Sequence, residues 1–398
     1  MSSMQSDGIQ PLSGIRVIDF SQVMLGPSAT QVLADYGADV IKIERPGAGD
    51  LSRSSIPDDP DGPNNPVFRS LNRNKRSIAL DLRQDDGKQV VYELIRGADI
   101  VVNNFRAGVM ERMGFGYARL AEINPRIICA FGSGFGQAGP LAYKGGQDIL
   151  AQALSGVMMR KCNDDEPLTI YATSLCDYSA GMHLVQAILL ALLQREKTGR
   201  GQQVSVSLFE SMLAMQMQEA AMWLQRGRDF SWGAYPLTGA FPTTDGAVVL
   251  VGAFKANPLR DICAALGLPD LSADPRYSDF AGQVKHKAEL QALFRERLAT
   301  DSTEHWLARL DEQDLLCAPV LTLADALVHE QTKANGSVVS HEPGDPLALI
   351  GSPLTMDPSA FRIRHAPPGL GADGDAVLAE AGFPASRIRA LREAGVLS

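Results

Sequence analysis

The chain has 398 residues, 45% of them hydrophobic and 21% charged, the composition of an ordinary soluble globular protein and long enough for two domains. Its formal net charge of −9 leaves no basic face for nucleic acid, and an anionic ligand would have to be held by local cations working against the overall sign. Five cysteines, odd in number, widely spaced and without a CxxC, exclude a disulfide framework and predict free thiols in a reducing cytoplasm.

The opening MSSMQSDGIQ has neither the basic region nor the apolar stretch of a signal peptide. Residues 16–20 then read as a strand, 27–36 as a helix and 40–44 as a second strand. A strand–helix–strand unit of this length implies a parallel pair with a right-handed crossover. A dinucleotide loop would need G-x-G-x-x-G after the first strand, and Ser21–Gly26 supplies one glycine. Glu44 ends the second strand as a ribose-binding acid would, but without the glycines a nicotinamide enzyme has little support. Further α/β units follow: strand 78–82, helix 87–96, strand 100–103, helix 109–113 and strand 127–131.

The stretch 175–211, LCDYSAGMHLVQAILLALLQREKTGRGQQVSVSLFES, carries the most information. Small residues after Asp177 open a helix over 179–196 that is apolar on nearly every side, which predicts burial. Its apolar run, 184–193, is short of the ~20 residues a membrane span needs. The helix stops at Thr198-Gly199-Arg200-Gly201, and Val204, Val206 and Leu208 then alternate with polar residues as a strand. Asp177 therefore sits where backbone N–H groups and the helix dipole favour negative charge. An ionised carboxylate in a dry site is a competent nucleophile, although spacing alone favours an ordinary helix N-cap. Cys176 has no histidine beside it in sequence and reads as a small hydrophobe.

From about residue 222 to 325 the texture changes. Residues 241–251 hold Asp245-Gly246 between two apolar runs, a strong hairpin signal, and helices follow at 258–266, 287–299 and 304–312. Pro- and Gly-rich segments at 343–346, 353 and 367–369 lead to a helical pair, 375–381 and 385–394. The expected organisation is a large α/β domain over 1–221, a smaller α+β domain over 222–325, and a return segment, 326–398, that completes the large domain.

Several fragments resemble, in order, the class III CoA-transferase (CaiB/BaiF) family: Asp177-x-x-x-Gly181 with its apolar helix and TGRGQ–VSVSL sequel, GIRVID at 14–19, LADYGADVIKIE at 33–44, NKRSI at 74–78, NFR at 104–106, NPR at 124–126, DPRY at 274–277 and GVL at 395–397. The resemblance implies a Rossmann-like large domain, a smaller α+β domain and an interlocked homodimer. It further implies an acyl-CoA and a carboxylic acid as substrates, no tightly bound cofactor, and Asp177 as nucleophile. No metal, nucleic acid or membrane is expected, and neither a Walker loop nor HExxH is present.

By position in the matched motifs, the resemblance implies that Arg45 contacts the nucleotide end of CoA and that Leu80, Leu82 and Arg83 form an adenine shelf. Asn104, Phe105 and Arg106 lie along the cofactor, Arg112 reaches a phosphate, and Lys144 and Gln147 complete the binding set. Gln22, Met24 and Leu25 line the acyl pocket. Formyl-CoA:oxalate transferases place glutamine where Met24 stands and carry a run of glycines where residues 232–239 have two, so a wider, more apolar acyl pocket is expected. Racemases of the family carry histidine before the aspartate of Gly145-Gly146-Gln147-Asp148, and Gln147 cannot relay an α-proton. The expected activity is CoA transfer, with a same-fold racemase/epimerase or a CoA-binding subunit of a hetero-oligomer as alternatives.

Overall fold

The computed structural model describes residues 10–163, 166–341, 347–357 and 360–398. The expected turn at 343–346 and nearly all of the MSSMQSDGIQ segment lie outside them.

Six parallel strands form one sheet: β1 Arg16–Asp19, β2 Asp39–Glu44, β3 Lys75–Ala79, β4 Ile100–Asn103, β5 Ile128–Ser133 and β6 Gln203–Ser207, in the order β3-β2-β1-β4-β5-β6. Period-two alternation gives the sheet two apolar faces. Val17, Val40, Ile100 and Ile128 belong to one core, with helices Leu25–Asp35 and Leu175–Thr198. Their neighbours Ile18, Ile41, Val101 and Cys129 belong to the other, with Asp85–Arg96, Gly374–Glu380 and Ala385–Glu393. Strand order reverses between β1 and β4, so the loops leaving their carboxyl ends diverge and open a crevice, the usual ligand position in such sheets.

The chain divides into two compact units. The larger runs to Met158, then over Ile170–Met215 and Ala334–Ser398. The smaller comprises Met159–Thr169 and Gln216–Lys333. Its antiparallel sheet pairs Thr238–Pro242 with Ala247–Val251 and that strand with Leu316–Pro319, around a core containing Tyr277, Phe294 and Trp306. Against the expected 222–325, this unit starts and ends a few residues away and takes in 159–169, which nothing in the local sequence signalled.

Four local expectations need correction. The third strand lies at Lys75–Ala79 rather than 78–82: its backbone pairs in register with Val40–Glu44, and it opens on a lysine that looks solvent-facing but is fully buried and paired with Asp19 at 3.3 Å. The long helix begins at Leu175, not 179, because the Asp148 carboxylate accepts the N–H groups of Cys176 and Asp177 and makes the turn containing them helical. That helix is not buried all round. Cys176, Ala180, Leu184, Val185 and Ile188 pack on the sheet, whereas Leu190 is 66% and Leu193 63% exposed. At 24 residues it is also long and apolar enough, by length and composition, to cross a bilayer, contrary to the expectation from its apolar run.

Candidate active site

A cavity of about 320 Å³ occupies the crevice between the carboxyl ends of β1 and β4. Gln22, Met24 and Leu25 line it from the loop after β1, and Asn104, Phe105 and Arg106 from the loop after β4. Lys144 and Gln147 come from the segment before the helix Asp148–Leu154, and Asp177 from the first turn of the long helix. Nine residues scattered over 156 positions of sequence thus face one space.

Glycines let the backbones approach closely enough to build it. A Cβ on Gly181 would collide with Ser28 Oγ and meet Leu25 O at 2.9 Å, so the Asp177 helix sits directly on the helix that begins at Leu25. Gly134 and Gly146 lie backbone to backbone, and a Cβ on either would strike the Cα of the other. That contact fixes the Gly145-Gly146-Gln147-Asp148 segment against the end of β5. Arg106 lies over Gly145, where an added Cβ would be 2.6 Å from Nη2.

Asp177 is half-buried, and burial, reinforced by the neighbouring Asp148 carboxylate, pushes it up to about 6. This reverses the expectation that the helix N-terminus keeps it readily ionised. The terminal N–H groups are already used: Asp148 Oδ1 accepts from Cys176 N at 2.7 Å and Asp177 N at 3.0 Å, while Oδ2 accepts from Gln152 Nε2 at 2.6 Å. Asp148 is the cap, and Asp177 is the free carboxylate facing the cavity. Burial also pushes the Cys176 thiol up to about 12, which removes it as a nucleophile at neutral pH.

The other expected residues take varied positions. The Asn104 amide is spent on the opposite loop, accepting Gln22 N–H at 2.8 Å and donating to Gln22 O at 2.7 Å, so it shapes the cavity rather than offering a free group. Leu80 is a core residue bridged to Leu397, and Leu82 packs at the edge of the same core. Arg83 points into solvent and pairs with Asp81 at 2.8 Å. Arg45 and Arg112 are exposed, and neither they nor Leu80, Leu82 and Arg83 line the cavity. Glu44 is engaged by Arg53 at 2.7 Å and by Ser77 Oγ at 2.6 Å, leaving no ribose-binding acid. Among the described residues no cluster of three metal-ligating side chains occurs.

Sequence reasoning missed Asp148 as the cap. Its signal was present, since an aspartate 29 residues before another in a glycine-bounded segment is a polar group needing a partner, but only the tertiary fold supplies that partner.

Residues 12–374 match the model of CoA-transferase family III. A protein from Fusarium pseudograminearum described as an acyl-CoA transferase is 36% identical over 403 residues, covering 97% of this chain and 88% of its own. A formyl-CoA:oxalate CoA-transferase from Escherichia coli O157:H7 is 35% identical, with coverages of 96% and 98%. Among solved structures, a CaiB/BaiF family protein from Brucella suis superposes with a TM-score of 0.84 at 29% identity, covering 94% of this chain and 100% of that one. A Mycobacterium tuberculosis protein, Rv3272, gives 0.82 at 29% identity, with coverages of 93% and 100%.

Proposed function

The chain belongs to CoA-transferase family III, and from that membership we propose that it moves CoA from an acyl-CoA thioester to a free carboxylic acid, with Asp177 as the nucleophile. The observation that carries this reading is a half-buried carboxylate, unused by the fold, facing a cavity at the switch point of the sheet. An Asp177 oxygen attacks the donor thioester carbonyl, the C–S bond breaks, and CoA thiolate leaves an aspartyl–acyl anhydride. The thiolate attacks the aspartyl carbonyl and releases the donor acid as carboxylate, giving an aspartyl-CoA thioester. The acceptor carboxylate attacks that thioester, forming a new anhydride, and the returning thiolate attacks the acceptor's acyl carbon. Product thioester leaves and the Asp177 carboxylate is restored, with no net proton or electron change.

Two cations line the cavity, Arg106 and Lys144, and suit a carboxylate or a phosphate in an otherwise acidic protein. Val23, Met24, Leu25, Leu51 and Leu208 give the walls an apolar character. That combination favours an acyl group wider and more apolar than oxalate. Turnover of a panel of acyl-CoA donors with labelled acids, followed by mass spectrometry, tests the reading. Label should enter the thioester pool, and quenched enzyme should carry CoA on the peptide containing Asp177. Free-acid label that never enters any thioester would overturn it.

Only the ionised form of Asp177 attacks, and its pKa is raised to about 6. Transfer should be full above about pH 7 and fall about tenfold per pH unit well below 6 in kcat/KM profiles.

The racemase alternative lacks its second base. Gln147 faces the cavity where a histidine would be needed, and among the described residues no histidine lines that space. A chiral 2-methylacyl-CoA incubated in deuterium oxide is expected to keep its α-hydrogen while acids exchange. Deuterium incorporation at the turnover rate without acid exchange would move the assignment to the racemase.

We also read the protein as a homodimer. The exposed Leu189, Leu190 and Leu193 on the long helix support this, because such a row on a helix seeks cover.

A further inference from the structure

Val23 is a β-branched residue in the left-handed region, with φ of +64°, in the loop that walls the acyl pocket. Such a conformation is strained and persists only where its surroundings over-determine it. Here they do. Ser21 donates its N–H and its hydroxyl to Asp19 Oδ1, and its carbonyl accepts from the Lys42 ammonium at 2.7 Å. Both backbone groups of Gln22 are held by Asn104. The Val23 N–H donates to Asp50 Oδ1 at 3.0 Å. Asp50 Oδ2 in turn pairs with Lys42 at 2.7 Å, the two side chains being 0% and 1% exposed. Asp50 is also fixed by the N–H and hydroxyl of Ser52.

We infer that the buried Lys42–Asp50 pair is a positioning device for the acyl-pocket wall, holding the Ser21-Gln22-Val23 backbone in a strained form that sets the gap between the wall and Asp177. A buried ion pair is weak evidence of stabilisation, since an apolar pair of similar volume often serves the fold as well. These two charges instead converge on backbone atoms of one loop: Lys42 on the carbonyl of Ser21, Asp50 on the amide of Val23. The loop is thereby clamped from both ends of a single salt bridge. Burial opposes the charge on Asp50, but Lys42 and the N–H donors outweigh it and hold the carboxyl at about 2, so the clamp stays ionised throughout the working range. The inference rests on the proposed transfer reaction for its catalytic consequence, not for the clamp itself.

Hydrogen exchange on the wild-type protein tests the clamp without any variant. Although the Val23 side chain faces the cavity and the residue is 42% exposed, its amide should exchange as slowly as those of the flanking strands. Exchange at the rate of an open loop would overturn the clamp. The double variant Lys42→Met/Asp50→Leu then tests the function. It should fold, with exchange over residues 20–26 at least about tenfold faster, kcat about tenfold or more lower, and CoA affinity within about threefold. Adding Val23→Gly, which takes the same φ without strain, should recover part of both losses. A folded double variant with unchanged kcat would overturn the positioning role even if exchange rises. If the wild-type protein transfers CoA between no tested acids, the proposed reaction fails, and the wild-type exchange result alone decides the clamp.

Discussion

Asp177→Asn is expected to abolish CoA transfer, by about a thousandfold or more, while CoA affinity stays within about threefold. The amide keeps the size of the carboxylate and loses the attacking charge, so the change falls on chemistry rather than binding. The same substitution should raise Tm by about 1–3 °C at pH 8. The fold raises this carboxyl from 3.8 to about 6, so the ionised form is disfavoured in the native state relative to the unfolded chain. Its charge therefore subtracts stability above pH 6. The penalty shrinks as pH falls through 6 and is gone below about 4, where native and unfolded chains are both protonated. A variant that is inactive yet no less stable at pH 8 is the signature of a group held for reactivity. Turnover above a thousandth of wild type in kinetic assays, or a Tm loss of several degrees in thermal melts, would reject that role.

Asp148→Ala should produce the largest loss of stability in the site, about 2–4 kcal/mol by urea denaturation. Two N–H groups of the long helix lose their acceptor in a place where little water can reach them, Asp148 being 5% exposed, while the Gln152 amide loses one of its three and keeps the carbonyls of Tyr171 and Thr173. Asp148→Asn separates charge from capping. The amide oxygen still accepts the two N–H bonds, while the negative charge that helps raise Asp177 is gone. The acid limb of the kcat/KM profile should therefore move to lower pH, with a smaller Tm loss than in the alanine variant. An unmoved limb would show burial alone sets the Asp177 pKa.

The lining of the candidate site was more legible in the sequence than the geometry that assembles it. Asp177, Arg106 and Gln147 stand in motifs, and motifs survive reading in one dimension. The parallel sheet was equally visible, because Val17-Ile18, Val40-Ile41 and Ile100-Val101 announce strands buried on both faces. Buried charge was not visible. Lys42, Asp50 and Lys75 look like solvent-facing residues, and only their ion pairs in the fold, Lys42 with Asp50 in the following loop and Lys75 with Asp19 on β1, show why they are inside. The start of the long helix was misplaced for the same reason: its cap comes from a residue 29 positions before Asp177. The outward leucines misled in the other direction, since composition cannot say which face of an apolar helix meets its own chain.

The larger unit is sewn together across the sequence. Gln10 donates to Ala360 O, Asn74 to Arg362 O, and Asp81 N–H to Val396 O, spans of roughly 290 to 350 residues. The entropy of closing such loops grows only logarithmically, so the finished protein loses little stability by it. Synthesis is another matter. Residues 216–333 form most of a compact unit from one continuous stretch, whereas β3 lies at the edge of its sheet and receives its C-terminal neighbours last. At about 5–20 residues per second, that edge waits on the order of tens of seconds on the ribosome. Lys75 and Arg76 lie along it, and charged side chains on an unpaired strand discourage pairing with a foreign chain. In the finished fold Lys75 is the buried partner of Asp19, whereas Arg76, partly exposed beside Asp39, gains Glu380 only when the C-terminal helix arrives.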